Sequence, residues 1–235
     1  MTAETKISIA ITHYNRYHFL VECVAEILKD PRVGEIVISD DASQDGSWEK
    51  IQRRFGGQDR FKLFRNGFNL DCYFNKAMAV RRATLDWVVL FDSDNVMPTG
   101  YLDALYALPE WNPHIAYLPD FAYPHFNYTE FSGLLVTRAN VARKMPHTKF
   151  VTALNTANYF FFREEYLRVW DGSVNPHTAD SIFQNLNWLR GGNALQIVKG
   201  LQYFHRVHAQ SHFKNNQHKA RNFTREVVEE LKKMK

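Results

Sequence analysis

The chain has only two cysteines, Cys23 and Cys72, among 235 residues. Neither belongs to a Cys-x-x-Cys pair, which argues against a zinc knuckle or a thioredoxin-type redox motif. Thiols this sparse read as free, in a reducing compartment. Long apolar runs are also missing. Nothing approaches the ~20 residues that span a bilayer, and Met1 to Lys6 lacks the apolar core of a signal peptide. The expectation from these features is a cytoplasmic chain, in which the sequons Asn127-Tyr128-Thr129 and Asn222-Phe223-Thr224 read as chance matches. Charge of either sign is in small excess: 29 Lys and Arg against 25 Asp and Glu give +4. Basic residues are scattered, with clusters such as Arg53-Arg54, Arg81-Arg82 and Lys232-Lys233. Nucleic-acid binders show a denser stripe, whereas a small anionic ligand fits a modest excess. Thr12 to Phe19 contains no glycine, and both the Walker pattern and the paired-glycine dinucleotide fingerprint are absent.

What is present is ordinary globular material: 45% hydrophobic and 23% charged residues. A chain of this size buries roughly 70–75% of its unfolded surface and needs no disulfide to fold. The 14% aromatic content suits sugar stacking as well as core packing. The first hundred residues alternate between two periodicities. Lys6–Thr12, Glu35–Ser39, Phe61–Phe64 and Asp86–Phe91 read as strands, while Phe19–Leu28, Ser43–Phe55, Asn75–Ala83 and Pro98–Leu108 read as helices. This alternation predicts an α/β fold with a mostly parallel sheet and helices on both faces. Further on, His114–Leu118, Ala194–Val198 and Leu201–Phe204 read as strands. Thr137–Lys144, Arg163–Trp170 and Ala179–Arg190 read as helices, and a last helix starts near Lys219. That helix could dock on the domain, meet a partner or lie on a membrane surface. With no repeat or linker, residues 1–235 read as one domain whose halves divide near residue 108.

In an open parallel sheet, ligands gather beyond the C-terminal strand ends. Three ends carry polar clusters: Thr12-His13-Tyr14-Asn15-Arg16, Asp40-Asp41-Ala42-Ser43 and Asp92-Ser93-Asp94-Asn95. Paired carboxylates repel unless a cation or proton offsets them. Asp92 and Asp94 therefore suggest Mg²⁺ or Mn²⁺, whose oxygen ligands are often shared with substrate phosphates, against the plainer possibility of exposed turn aspartates. Asp40 and Asp41 can accept from a ribose diol or a base N–H, or belong to the cap of the next helix.

Taken together, Thr12-x-Tyr14-Asn15-Arg16, Asp40-Asp41-Ala42-Ser43-x-Asp45-Gly46, Asn69, Asn75-Lys76-Ala77 and Asp86-Trp87-Val88-Val89-Leu90-Phe91-Asp92-Ser93-Asp94 resemble the family 2 glycosyltransferases. The resemblance covers roughly residues 6 to 108 and implies the GT-A nucleotide-sugar-binding fold. It implies that Thr12, Tyr14 and Asn15 line the nucleoside pocket. It assigns Asp40 to the base, Asp41 to the ribose region, Asn69 and Lys76 to the base or phosphates, Asp92 to ribose or donor sugar, and Asp94 to the metal, with Arg16 and Ser93 also among the substrate-binding residues. Two departures are visible. Asp71 stands where the family usually has glycine, and Asp94-Asn95 replaces the usual Asp-Asp.

The second half matches less closely. Asp180 is the nearest counterpart of the family's acceptor-activating aspartate, and equally an acid at a helix N-terminus. His205, and next His208, would complete the metal shell, and Arg206 could pair with a phosphate. The aromatic stretch Tyr117–Phe131, with Trp111, Tyr159 and Trp170, suggests an acceptor surface or loop packing. The expected reaction moves a sugar from a nucleotide diphosphate donor, UDP-sugar favoured, to a hydroxyl of a glycan or similar acceptor. Inversion follows if Asp180 is the base. A nucleotidyltransferase and an inactive nucleotide-sugar-binding module are the alternatives.

Overall fold

The computed structural model describes residues 5–144, 148–207 and 224–233. Among the described residues nine strands, numbered in chain order, form one sheet in the order β3-β2-β1-β4-β8-β5-β9-β7, with β6 on β5. The first half is a regular alternation. It runs β1 (Ile7–His13), α1 (Tyr17–Ile27), β2 (Val33–Asp40), α2 (Ser47–Phe55), β3 (Phe61–Arg65), α3 (Asp71–Arg82), β4 (Trp87–Asp92) and α4 (Gly100–Tyr106). Strands β1 to β4 all pair in parallel. The second half adds β5 (Ile115–Tyr123), β6 (Phe126–Asn127), β7 (Leu135–Val136), α5 (Arg138–Lys144), α6 (Thr148–Leu154), β8 (Phe160–Phe162), α7 (Arg163–Val169), α8 (Asp180–Arg190) and β9 (Ala194–Phe204). Here β8 runs antiparallel to both β4 and β5, while β5 and β9 are parallel. The sheet is mostly parallel, as the alternation predicts.

Strand period 2 sorts the side chains between two cores. Ile7, Ile9 and Ile11 of β1 pack with Leu20 and Val24 of α1, Ile51 of α2 and Tyr101 of α4. Ala10, Val37, Val88 and Leu90 face the other way, toward α3, α7 and α8. Helix α8 is buried at every position from Asp180 to Leu189. A helix apolar or satisfied on all sides belongs inside a fold. Asn185 Nδ2 donates to Leu154 O at 2.6 Å, and Asn155 Oδ1 accepts from Ile182 N at 3.1 Å, so α6 holds the first turns of α8 in place.

Several boundaries differ from the sequence reading. The helix expected from Ser43 begins at Ser47, because Ser43 to Gly46 form the turn that caps it. The two strands expected at Ala194–Val198 and Leu201–Phe204 are one, β9. Opposite Asp120, β9 carries a bulge at Lys199–Leu201, where Gly200 takes φ 80° and donates its N–H to the Asp120 carboxylate. Elements α6, β7 and β8 were not expected. The final helix, described over 224–232, docks: Val227 and Leu231 enter the core and Arg190 pairs with Glu230 at 2.9 Å. Among the described residues no helix is long and apolar enough to cross a membrane.

Candidate donor and acceptor cleft

Parallel pairing brings the three polar strand ends together. Thr12 lies beside Ser39 of β2 and Asp92 of β4, and His13 lies beside Asp40. Beyond these ends opens a cleft of about 690 Å³. Thr12, Tyr14, Arg16, Asp41, Asn69, Lys76, Asp92, Ser93, Asp94, Asp180, His205 and Arg206 all line it. One cleft therefore gathers residues from both halves of the chain. The backbone is strained around it. Asn15, Arg16, Ala42, Asp71, Asn158 and His177 all take positive φ between 52° and 69°; Asp71 opens α3, His177 opens a 3-10 turn, and the others lie in loops beside the strand ends. Non-glycine residues in this region persist only where surrounding structure holds them, commonly at functional sites.

At the centre of the cleft wall stands Lys76. Its Nζ lies 2.6 Å from Asp180 Oδ2 and 3.3 Å from Asp92 Oδ1. Lys76 and Asp180 are each 7% exposed. Burial alone would push the ammonium toward neutrality, but the Asp180 and Asp92 charges outweigh it, so Lys76 is held firmly protonated. Burial also raises the Asp92 carboxyl, against the pull of Lys76, and the charges of Asp94 and Asp180 add to that rise. Thr12 Oγ1 donates to Asp92 Oδ1 at 3.3 Å, and Asn158 Oδ1 accepts from Asp92 N at 2.7 Å. The end of β4 is thus fixed from both sides.

The two acidic residues after β2 divide their work, because neighbours in extended chain face opposite ways. Asp41 reaches the cleft. Its Oδ1 accepts from Asn66 Nδ2 and Leu70 N, both at 2.9 Å, and burial raises its pKa. Asp40 does not line the cleft. It is fully buried, takes hydrogen bonds from Ser43 N and Oγ, and lies 3.5 Å from Arg65 Nε. The base contact expected of Asp40 has no support in this geometry, and its observed role is to hold the capping turn. Asn15 likewise ties loops together, accepting from Gln44 N and donating its own N–H to Ser43 Oγ.

His13 was not singled out from the sequence, although it stands in the first polar cluster. It is 1% exposed, with Nδ1 3.1 Å from Ser93 Oγ. Burial, with Arg16 adding to it, pulls its pKa down to about 4 against the opposing charges of Asp45 and Asp94. It is a neutral ring under the Asp92-Ser93-Asp94 turn. Asn75 was also passed over as an individual, though it stood in the Asn-Lys-Ala run. It is buried at the cleft wall, and its Oδ1 accepts from Ser39 Oγ at 2.6 Å and from Asn66 Nδ2 at 3.0 Å.

On the far side, Arg206 donates from its backbone N to Asn95 Oδ1 at 3.1 Å. Its guanidinium lies over Phe19 and pairs with Glu22 at 2.5 Å. His205 N donates to Tyr123 O at 2.7 Å, and its ring stands edge-on to Phe126. Asp94 Oδ2 lies 3.9 Å from Arg16 Nη1. The expected shell of Asp92, Asp94 and His205 is not gathered: among the described residues no three His, Cys, Asp or Glu side chains come together to hold an ion. His208 lies outside the described residues. The donor chemistry still suits a hard cation that completes its shell with substrate oxygens, because Asp94 and Asp92 border one cavity. The aromatic set is divided between core and partly exposed positions. Trp111, Tyr117 and Tyr159 are buried, and only Phe126 and Tyr128 of that stretch reach the cleft.

Fold and cleft define a mixed α/β protein whose cleft opens at the C-terminal ends of β1, β2 and β4. The chain belongs to glycosyl transferase family 2, whose family model matches residues 8–170. It is 29% identical over 101 residues to the glycosyltransferase GlyG of Streptococcus pneumoniae serotype 4 (strain ATCC BAA-334 / TIGR4). That match covers 43% of this chain and 34% of the relative, so it spans about a third of that protein. The fold is similar to that of the S. aureus TarS fragment 1–349 in complex with UDP-GlcNAc, with TM-score 0.73 and 15% identity. That comparison covers 96% of this chain and 66% of the other. It is also similar to the mannosyltransferase PcManGT from Pyrobaculum calidifontis in complex with GDP-Man and Mn²⁺, with TM-score 0.63 and 16% identity over 99% of this chain and 70% of that one. The GT-A fold implied by the motifs is the fold observed.

Proposed function

We propose that the chain is a metal-dependent glycosyltransferase that moves a sugar from a nucleoside diphosphate donor, UDP-sugar favoured, to a hydroxyl of a glycan or similar acceptor. The observation that carries this reading is the convergence of Asp180, Lys76 and Asp92 in the cleft that Asp41, Asn69 and Asp94 also line. The donor's nucleoside lies along Asp41, Asn69 and Tyr14, and its diphosphate reaches the Asp92-Ser93-Asp94 turn and Arg206. Asp94, with Asp92 and His205 nearby, would hold Mn²⁺ or Mg²⁺, which when bound offsets charge on the leaving diphosphate. GDP-Man with Mn²⁺ in the PcManGT structure and UDP-GlcNAc in the TarS structure support the same class of donor.

Asp180 takes the proton from the acceptor hydroxyl. The hydroxyl oxygen bonds to the anomeric carbon as the bond to the diphosphate oxygen breaks, and the nucleoside diphosphate leaves. Attack from the face opposite the leaving group inverts the anomeric centre. Lys76 Nζ, 2.6 Å from Asp180 Oδ2, fixes the position of that carboxylate in the cleft wall, and a general base must be placed within hydrogen-bond reach of the hydroxyl it deprotonates. Turnover on UDP- and GDP-sugars with Mn²⁺, compared between wild type and Asp180→Asn, tests the assignment. Loss of a general base costs about 10²–10⁴ in rate, so Asp180→Asn should bind nucleotide and barely turn over. Undiminished transfer in Asp180→Asn would remove Asp180 from the mechanism.

A further inference from the structure

We infer that Asp71 and His177 form a latch that couples the donor loop to the loop that delivers Asp180. The latch rests on the donor-site reading above. Asp71 opens α3 directly after the loop that carries Asn69, and its φ is 69°. Glycine adopts that conformation at no steric cost, and glycine is the residue the family pattern leads one to expect there. An aspartate instead must be held in place, and its side chain is. Asp71 Oδ2 lies 3.0 Å from His177 Nδ1 and accepts from Asn175 Nδ2 at 3.0 Å, across 106 and 104 residues of sequence.

His177 is strained in the same sense, with φ 52°. Aspartate and histidine are among the few side chains that tolerate this region. A third contact runs parallel to the first two: Cys72 Sγ donates to His177 O at 3.1 Å. On the donor side, Asp71 N donates to Asn69 Oδ1 at 2.9 Å. On the other side, His177 N donates to Asn175 Oδ1 at 2.9 Å, and three residues later α8 begins with Asp180. Two residues at positive φ, in direct contact with each other, therefore join the loop at 66–72 to the segment at 171–180. Neither contact is needed to close the sheet or either core. Asp71 is a positioning residue: nucleotide held on Asn69 and Asp41 fixes this loop, the loop fixes His177, and His177 sets the approach of Asp180 to the acceptor.

Hydrogen exchange resolves the coupling directly. Wild type, Asp71→Gly, Asp71→Asn and His177→Asn would each be measured alone and with UDP or GDP in the presence of Mn²⁺. Asp71→Gly suits the backbone better than the native residue, and His177→Asn leaves the cleft wall untouched, so both should fold. Nucleotide is expected to slow exchange at 66–72 and at 171–182 in wild type. In Asp71→Gly and His177→Asn it should slow exchange at 66–72 alone, with Asp71→Asn keeping part of the second effect. Steady-state kinetics should show kcat for transfer falling roughly tenfold, the size expected for one lost charge-assisted hydrogen bond, with donor KM little changed. Nucleotide protection at 171–182 that survives in both latch variants would overturn the latch and leave the donor site standing. No nucleotide protection at 66–72 even in wild type would overturn the donor-site reading and the latch with it.

Discussion

Replacing Lys76 with methionine keeps the length and packing of the side chain and removes its charge. In the native fold that ammonium lies between two carboxylates, with Lys76 and Asp180 side chains each 9% exposed. Removing one partner of a buried ion pair leaves an uncompensated charge and costs about 3–5 kcal/mol. For a domain of this size each kcal/mol is worth roughly 2–4 °C, so Lys76→Met should lower the melting temperature by roughly 6–20 °C. Part of that loss belongs to the orphaned Asp180 and is recoverable. Lys76→Met combined with Asp180→Asn replaces the stranded carboxylate by a neutral amide, and the double variant should be more stable than Lys76→Met alone. Urea unfolding of wild type, both single variants and the double closes the cycle. Residues in direct contact show coupling of about 0.5–3 kcal/mol, and the upper half of that range is expected here. Additivity to within about 0.5 kcal/mol would mean that Lys76 does not stabilise Asp180, and the account of the cleft wall would fail.

Three further outcomes follow from the same coordinates. His13 is buried and neutral with its pKa lowered to about 4, so the unfolded chain takes up a proton that the folded chain refuses between pH 6.5 and 4. Its contribution is complete above pH 6.5 and is lost as the pH falls through that window, by about 3 kcal/mol in all; His13→Gln should flatten this limb of a stability-against-pH curve. Burial alone would raise the Glu35 carboxyl, but Lys62, Ser8 and the Thr84 donors outweigh it and hold it at about 2. Glu35→Ala strands those donors and should cost about 3 kcal/mol in chemical unfolding while leaving any nucleotide-induced stabilisation intact. Arg206→Ala should weaken nucleotide binding measured by calorimetry by roughly tenfold, the value of one lost charged contact to phosphate.

The strands that frame the cleft were legible because each is a short apolar run that stops at polar residues. Lys6–Thr12, Glu35–Ser39 and Asp86–Phe91 announce both the sheet and the polar edge at which the cleft opens. Strand β8 was not legible: Phe160–Phe162 is three aromatic residues with no period to read, and only the partners β4 and β5 make it a strand. Strand β9 looked like two strands because Gly200 interrupts the pattern, whereas the chain absorbs it as a bulge. In the site, sequence reasoning gave Asp40 and Asp41 a ligand each. Alternation across extended backbone lets one of them face the cleft, and the hydrogen bonds from Ser43 decide which one turns away. Lys76 and Asp180 were each named, but their pairing spans 104 residues and exists only once α3 and α8 pack on the same core. The aromatic set divides in a way that composition does not show: Trp111, Tyr117 and Tyr159 are buried, while Phe126 and Tyr128 line the cleft.

The central claim is a metal-assisted nucleotide-diphosphate site on the Asp92-Ser93-Asp94 turn, and thermal unfolding with Mn²⁺ and a panel of UDP, GDP, dTDP and CMP tests it most directly. Ligand at 100 times its dissociation constant adds about 2.7 kcal/mol, a rise of roughly 5–10 °C for a chain this size. The account predicts that rise with one nucleoside diphosphate, only with metal present, in wild type and not in Asp94→Ala. No rise with any nucleotide, or an equal rise in Asp94→Ala, would contradict it.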